Sequence, residues 1–262
     1  MWLFCMEFDV LGVCFSLLSV KNSWIFRHRF IDSPIDRFSF EGLLLLSRSI
    51  PKLPSAEEFR RNVEDLIEKY GIVDCIYKQC LEEFGKLELS QLNEKHQTRI
   101  IEPFLLTWGR MGRVLGHNGV EAICKKLVAL REKIDPIRYK NLLSEDLNLL
   151  RNLIIELYDD IRKTPFLSKR GKQKEVGPTA ASKVLHLTCP DLFVMWDTAI
   201  RNKGYGKYNG DGKDYFEFLS EMKEIANALE STIMDLQQRY GERVTRLLDQ
   251  HNWMKFTEKT HT

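Results

Sequence analysis

From Pro54 onward, apolar residues recur every three or four positions, the period of helices with one buried face. Phe59, Val63, Leu66 and Ile67 mark the first helix. Ser55-Ala56-Glu57-Glu58 opens it as a capping box, in which the serine hydroxyl accepts a free N–H and Glu58 reaches back. Gly71 ends it, and a second helix spans Ile72 to Phe84 before Gly85. A third runs from about Leu92 to Met111, kinked at Pro103. Gly109, Gly112 and Gly116 then break the chain, and Asn118 is placed to cap a helix from Gly119 to about Lys133. Asp135-Pro136 opens a short turn or helix. Ser144 is placed to cap the most periodic segment, Leu147 to Ile161, where Leu147, Leu150, Ile154, Leu157, Tyr158 and Ile161 share one side. Asp214 to Tyr240 predicts a long helix, and Glu242 to about Trp253 another after Gly241. Past residue 55 nothing alternates cleanly with period two, and there is no internal repeat. Residues 53–262 therefore read as a single all-α, multi-helix globular domain.

Residues 1–52 follow a different pattern. Met1 to Val20 is rich in Phe, Leu, Val and Cys but is interrupted by Glu7 and Asp9. The uninterrupted stretch Val10 to Val20 has eleven residues, too few to span a bilayer. Negative charges precede it and Lys21 follows it, the reverse of a secretory signal. The segment is read as an N-terminal appendage, poorly structured or strand-like. An integral part of the core and a membrane-related segment are the alternatives.

Composition narrows the function classes. Of 262 residues, 44% are hydrophobic and 29% charged, which argues against a disordered chain. Lys+Arg is 39 against Asp+Glu at 37, so a histone-like polycation and an acidic tail protein are excluded, while a local basic groove is not. The six cysteines are scattered without a CxxC pair, and the six histidines include no i, i+4 pair. That pattern argues against a zinc finger or an iron–sulfur cluster, and no metal or other cofactor is expected. Scattered thiols point to a reducing, cytoplasmic compartment, or the nucleoid or nucleus.

Three short motifs are ambiguous. Trp108-Gly109-Arg110-Met111-Gly112-Arg113 sets two arginines between glycines, as a phosphate grip or an ordinary helix connection. Asp159-Asp160 lacks further carboxylates at ligand spacing and reads as a solvated face. Asn209-Gly210-Asp211-Gly212 lacks the later glutamate of a calcium loop and reads as a tight turn.

The informative stretch runs from Lys172 to Arg201. A basic loop with Lys169, Arg170, Lys172 and Lys174 leads to Val176-Gly177-Pro178, where a helix opens. Proline is tolerated there, and the free N–H groups of a helix start favour a phosphate. Ala180 and Ala181 allow close packing; Cys189-Pro190 ends the helix; Phe193, Val194, Met195 and Trp196 are buried and deliver Asp197 to a further short helix. His186 and Trp196 are expected in the core rather than against a base.

Val176-Gly177, Thr179-Ala180, Pro190 and Asp197-Thr198…Arg201, with Asp197 twenty residues after Gly177, resemble the signature of the helix-hairpin-helix DNA glycosylase superfamily, which includes endonuclease III and the adenine glycosylases. The resemblance covers roughly 30 residues. It implies DNA as partner, Asp197 as the catalytic carboxylate, and contacts to nucleic acid from Lys169, Arg170, Lys172, Lys174, Gly177, Thr179 and Arg201. The chain departs from the family in lacking the cysteine cluster of some members and at two further places. Gln173-Lys174-Glu175 replaces the usual Leu-Pro-Gly, so the first hairpin helix is degenerate and replaced by a charged loop. Thr179 stands where bifunctional members carry a Schiff-base lysine, and Lys183 lies one turn further on the same face without matching the motif.

A monofunctional, base-excising repair glycosylase is the first functional reading. A non-catalytic nucleic-acid-binding module, or a helical scaffold, with Asp197 as a plain helix N-cap is the other. A cleft lined by Asp197 and flanked by Lys169 to Lys183 distinguishes the first from a sealed cap.

Overall fold

The computed structural model describes residues 53–71 and 74–258 and, as backbone only, three strands between residues 5 and 28. The chain divides into two units, Met1–Ile50 and Pro51–Thr262. In the first, β1 (Cys5–Val10), β2 (Val13–Val20) and β3 (Ser23–His28) form an antiparallel meander, with Cys5 opposite Leu18 and Phe15 opposite His28. The remainder of the segment read as an appendage lies outside the described residues.

The second unit is all-α apart from one small ribbon. Helix α1 (Ala56–Tyr70) begins where its capping sequence places it: Ser55 Oγ accepts the Glu58 N–H at 3.1 Å. Its buried stripe is Phe59, Val63 and Leu66. Helix α2 spans Asp74–Gly85. The helix expected from Leu92 to Met111 is present as one helical run over 94–108, whose hydrogen-bonding type changes along it: Glu102, just before Pro103, stays helical at φ −63° and ψ −52°. Asn93 accepts the N–H groups of Lys95 and His96 to start Glu94–His96. Wide, π-type turns follow over Gln97–Ile101 and Pro103–Trp108. Pro103 has no N–H to donate, and the regular ladder is lost on both sides of it.

Helix α3 (Gly116–Ala129) starts three residues earlier than expected, without a side-chain cap. Asn118 lies inside its first turn and donates to the Leu167 carbonyl at 2.9 Å, so it ties α3 to a neighbour instead of capping. Helix α4 (Leu147–Arg162) is capped by Asp146, which accepts the Asn148 N–H at 2.9 Å. Ser144 bonds the Asn141 carbonyl instead. The Asp159-Asp160 pair is not simply solvated: Asp159 accepts from Arg162 at 3.0 Å, from Lys163 at 3.2 Å and from the Gly212 N–H at 3.0 Å.

After α4 the charged loop expected before Gly177 is a two-stranded ribbon, β4 (Pro165–Leu167) and β5 (Gln173–Glu175), with Phe166 opposite Lys174. Three-residue strands are too short to show alternation, and only Phe166 among them is buried. Helix α5 (Pro178–Thr188) follows. The long helix expected from Asp214 to Tyr240 is two, α6 (Gly212–Ala228) and α7 (Glu230–Tyr240), because Leu229 leaves helical geometry at φ −110° and ψ 21°. Asp211, in the turn Asn209 to Gly212, caps α6 through the N–H groups of Lys213 and Asp214. Helix α8 (Val244–Asn252) runs into a wide turn, Trp253–Thr257.

α4 packs against α5 and α6, and α8 packs against α1. A Cβ on Gly212 would meet the Ile155 carbonyl oxygen at 2.5 Å, so only glycine allows α6 to start this close to α4. Tyr158 of α4 stacks on Tyr215 of α6 at 4.3 Å, and Trp196 meets Tyr215 edge-on. Among the described residues Cys80, Cys124 and Cys189 are buried free thiols and Cys75 is exposed. No described helix is long and apolar enough to cross a membrane.

Candidate functional site

Asp197 is positioned by the start of α5. Gly177 takes φ +83°, a conformation open to glycine, and turns the chain from the ribbon into the helix. Its N–H donates to the Arg162 carbonyl at 2.9 Å, and Ala180 and Ala181 are sealed in the core behind it. Ser182 then holds the apolar run that follows α5: its hydroxyl accepts the Trp196 N–H at 3.2 Å. The Trp196 indole donates to the Tyr158 hydroxyl at 3.1 Å. The next residue, Asp197, is thereby fixed against both helices. Its Oδ1 accepts the Ile200 N–H at 2.8 Å, as an N-cap does, and its Oδ2 accepts the Thr257 hydroxyl at 2.8 Å.

The carboxylate is only partly buried and lines a cavity of about 320 Å³. Thr179 and Lys183 of α5 share that wall. Lys183 donates to the Gly109 carbonyl at 3.0 Å and sits 5.2 Å above the Trp108 ring. Burial holds its pKa below that of an ordinary lysine, against the pull of Asp249 and Asp197, and Arg246 and Arg110 lower it further.

The opposite wall comes from α2 and α8. Arg246 is buried beside the adjoining rings of Tyr77, at 4.9 Å, and Trp108, at 5.1 Å. Its NH2 lies 2.9 Å from both oxygens of Asp74, and its NH1 donates to Asp249 Oδ2. Asp74 also accepts the Trp108 indole N–H at 3.0 Å. Tyr70 and Trp253, in edge-to-face contact at 5.3 Å, line the rim with Glu258.

Burial pushes the Asp249 carboxyl up to about 6, although Arg246 and Lys183 pull the other way. Unfolded, an aspartate ionises near about 3.9. Between these values the folded protein holds a proton that the unfolded chain has lost, so the group's contribution to stability falls as pH rises through that window and is flat above it. The stability of wild type minus that of Asp249→Asn should therefore shrink between about pH 4 and pH 6.5, by at most roughly 3 kcal/mol. Urea unfolding at stepped pH measures it, and a difference that stays level or grows would contradict this assignment.

Three of the expected site residues, Asp197, Lys183 and Thr179, thus meet in one cavity. Lys169, Arg170, Lys172 and Lys174 lie exposed on and around the ribbon. The connection that follows Trp108 approaches the cavity at one end and the turn of the ribbon at the other. Lys169 Cε lies 3.8 Å from where a Gly116 side chain would begin, while Gly109 and Arg110 at the other end of that connection line the cavity. Arg110 is exposed and takes φ +54°, the one positive φ outside glycine among the described residues. Gly177 turns the backbone but does not line the cavity. Arg201 lies away from it, packed on Gly210, with its Nε on Asn202 Oδ1 at 3.1 Å.

His186 is a core residue. The Tyr77 hydroxyl donates to its Nε2 at 2.7 Å and its Nδ1–H donates to the Phe193 carbonyl at 2.6 Å, while burial holds its pKa down to about 3. Trp196 is buried and also touches the cavity. The residues that sequence reasoning missed are Asp74, Arg246, Asp249 and Trp253. They come from distant elements, and no local spacing marks them. No family model, curated protein or solved structure matches the chain.

Proposed function

We propose that this protein binds DNA along the basic ribbon and the loop after Trp108, and receives one extruded base in the cavity, where Asp197 assists cleavage of the glycosidic bond. The observation that carries this reading is the position of Asp197: partly exposed, it lines a cavity with Lys183 and Thr179, next to the loop that leads to the cationic ribbon. The order ribbon, Gly177 turn, α5, apolar run and Asp197 also supports a relative of the helix-hairpin-helix glycosylases in which the ribbon replaces the first hairpin helix.

The chemistry is that of a monofunctional, base-excising repair enzyme. When the bond between C1′ and the base nitrogen breaks, its electron pair leaves with the base, which takes up a proton, and positive charge develops on the sugar. The Asp197 carboxylate stabilises that charge and orients a water, which adds to C1′ and gives up a proton. Thr179 has no amine with which to form a Schiff base. A cavity of this size is at the lower end of ligand pockets, about 300–1,000 Å³, and suits one base rather than a longer stretch of strand.

A second reading rests on the hydrogen bond from Ile200 to Asp197 Oδ1: the same surface holds nucleic acid without chemistry, and Asp197 is a cap. Both readings require binding. Affinity for a short duplex should fall steeply with salt as counterions leave each contacted phosphate. Replacing Lys169, Arg170, Lys172 and Lys174 together by glutamine should reduce the slope of log affinity against log salt by roughly three to four. An unchanged slope, or no binding at low salt, removes both readings and leaves the helical scaffold.

A further inference from the structure

An N-cap needs one carboxylate oxygen, and Asp197 has both engaged. Oδ1 accepts the Ile200 N–H, which completes the cap; Oδ2 accepts the Thr257 hydroxyl at 2.8 Å, across 60 residues of chain. The cap does not require that second bond. What the bond fixes is the plane of the carboxylate, because the terminal torsion of an aspartate is broad and one bond leaves it free to swing. Both residues line the cavity. Thr257 also departs from the usual behaviour of a threonine in a helical turn. Thr98, Thr164 and Thr188 donate to carbonyls three or four residues back, whereas Thr257 donates to a carboxylate of another element.

The hydroxyl is delivered to the carboxylate rather than following it. The turn Trp253–Thr257 is fastened on two sides by contacts that do not involve Asp197. On one side Phe256 lies on the short helical turn Ile200–Gly204, where a Cβ on Gly204 would fall 2.9 Å from its ring. Just beyond, the Tyr205 hydroxyl donates to Asn252 Oδ1 at 2.7 Å. On the other side α1 holds the turn. Lys255 Nζ pairs with Glu58 Oε1 at 2.9 Å, Tyr70 meets Trp253 edge-on, and the Tyr70 hydroxyl donates to Glu258 Oε1 at 2.9 Å. A donor preset in this way keeps a charge in one orientation without reorganisation during a reaction. Displacing such a group by about 1 Å costs as much as roughly 10²-fold in rate.

We infer that Thr257 is a positioning residue for Asp197: it turns the carboxylate so that its charge faces the place in the cavity where the sugar of an extruded nucleotide becomes cationic. This rests on Asp197 acting at the sugar, as proposed above. No bond forms or breaks at Thr257; the residue sets where the negative charge stands when the bond at C1′ opens. The C-terminal turn thereby serves the reaction rather than only walling the cavity.

A sugar mimic tests this without knowledge of the base. Two fluorescein-labelled duplexes each carry one abasic analogue: a pyrrolidine, whose protonated ring nitrogen imitates the developing cation, or a tetrahydrofuran, neutral and of the same shape. Anisotropy titrations with the full chain should show the wild type preferring pyrrolidine by roughly 10²-fold, the low end for transition-state mimics. Thr257→Val keeps the shape and loses the hydroxyl. It should cut that preference roughly tenfold while affinity for the tetrahydrofuran duplex stays within about twofold. Thr257→Ser, which restores the hydroxyl, should stay within about threefold of the wild-type preference. Thr257→Ala is the second hydroxyl-free variant should valine perturb folding, which urea unfolding reports. In Asp197→Asn the preference should be nearly gone, and adding Thr257→Val should change it no further, since a residue acting only through Asp197 has nothing left to position. A preference kept in Thr257→Val but lost in Asp197→Asn overturns the role of Thr257 and leaves Asp197 at the sugar. Equal drops from Thr257→Val in the wild-type and Asp197→Asn backgrounds mean that Thr257 acts independently of the carboxylate, and overturn it too. No preference for pyrrolidine in the wild type, or no duplex binding, removes Asp197 from the sugar and the inference with it.

Discussion

Asp197→Asn should yield a folded protein that has lost base release. Asparagine accepts the Ile200 N–H nearly as well as aspartate, so unfolding free energy should change by about 1 kcal/mol or less. Thr257 remains within hydrogen-bonding distance of the substituted group. What disappears is the negative charge facing the cavity. A preorganised charge of this kind is needed most when the sugar is cationic, and its removal should slow base release by roughly 10²–10³-fold. The measurement is a single-turnover screen on duplexes that each carry one altered base, with hot alkali added after the protein. Because Thr179 carries no amine, wild-type product strands should be cut only after alkali. Wild-type base release that Asp197→Asn leaves untouched would reduce Asp197 to a cap and move catalysis elsewhere. A large loss of stability would show that the carboxylate is structural beyond what asparagine can replace.

How much of this was legible in the sequence depends on how local each feature is. The α1 cap at Ser55 was legible because a capping box is complete within four residues. Ser144 was a plausible cap for α4, but Asp146 stands directly before the first helical residue and has the required extended backbone. The ribbon at 165–175 was invisible because it is held by one buried side chain, Phe166, and by backbone pairing, neither of which leaves a period in the sequence.

The same distinction separates the two walls of the cavity. Thr179 and Lys183 are one helical turn apart and Asp197 follows on a short tether, so one contiguous segment carries that wall. The other wall joins Arg246 to Asp74 across 172 residues of chain. The α8 sequence is amphipathic, so its polar face, with Arg246 and Asp249, reads as solvated, yet all nine residues of the helix are buried. Only packing α8 against α1 and beside α2 reveals why charged residues are tolerated there.

That arrangement makes Arg246 the residue whose loss should cost most. Its guanidinium neutralises Asp74 and Asp249, both nearly inaccessible to water, and packs against the adjoining Tyr77 and Trp108 rings. Asp74 and Asp249 hold its pKa above the usual arginine value in spite of burial. Arg246→Met keeps most of the volume and the aromatic contact but leaves two buried carboxylates without a cation. Removing one partner of a buried pair costs about 3–5 kcal/mol, largely because the remaining charge is stranded. The sign of the pH dependence follows from that cause. With Arg246 gone, burial acts unopposed by that cation on the Asp249 carboxyl, already raised, and the folded state then binds more protons than the unfolded one. The deficit should be greatest above neutral pH and shrink as pH falls toward about 4. Adding Asp74→Asn and Asp249→Asn to Arg246→Met removes the stranded charges and should recover more than half of the loss, whereas each asparagine substitution alone should not stabilise the wild type. Denaturant unfolding of the wild type and these four variants at two pH values decides the matter. A loss below about 1 kcal/mol in Arg246→Met, or one that grows on acidification, would mean that the cluster is better hydrated than its burial implies.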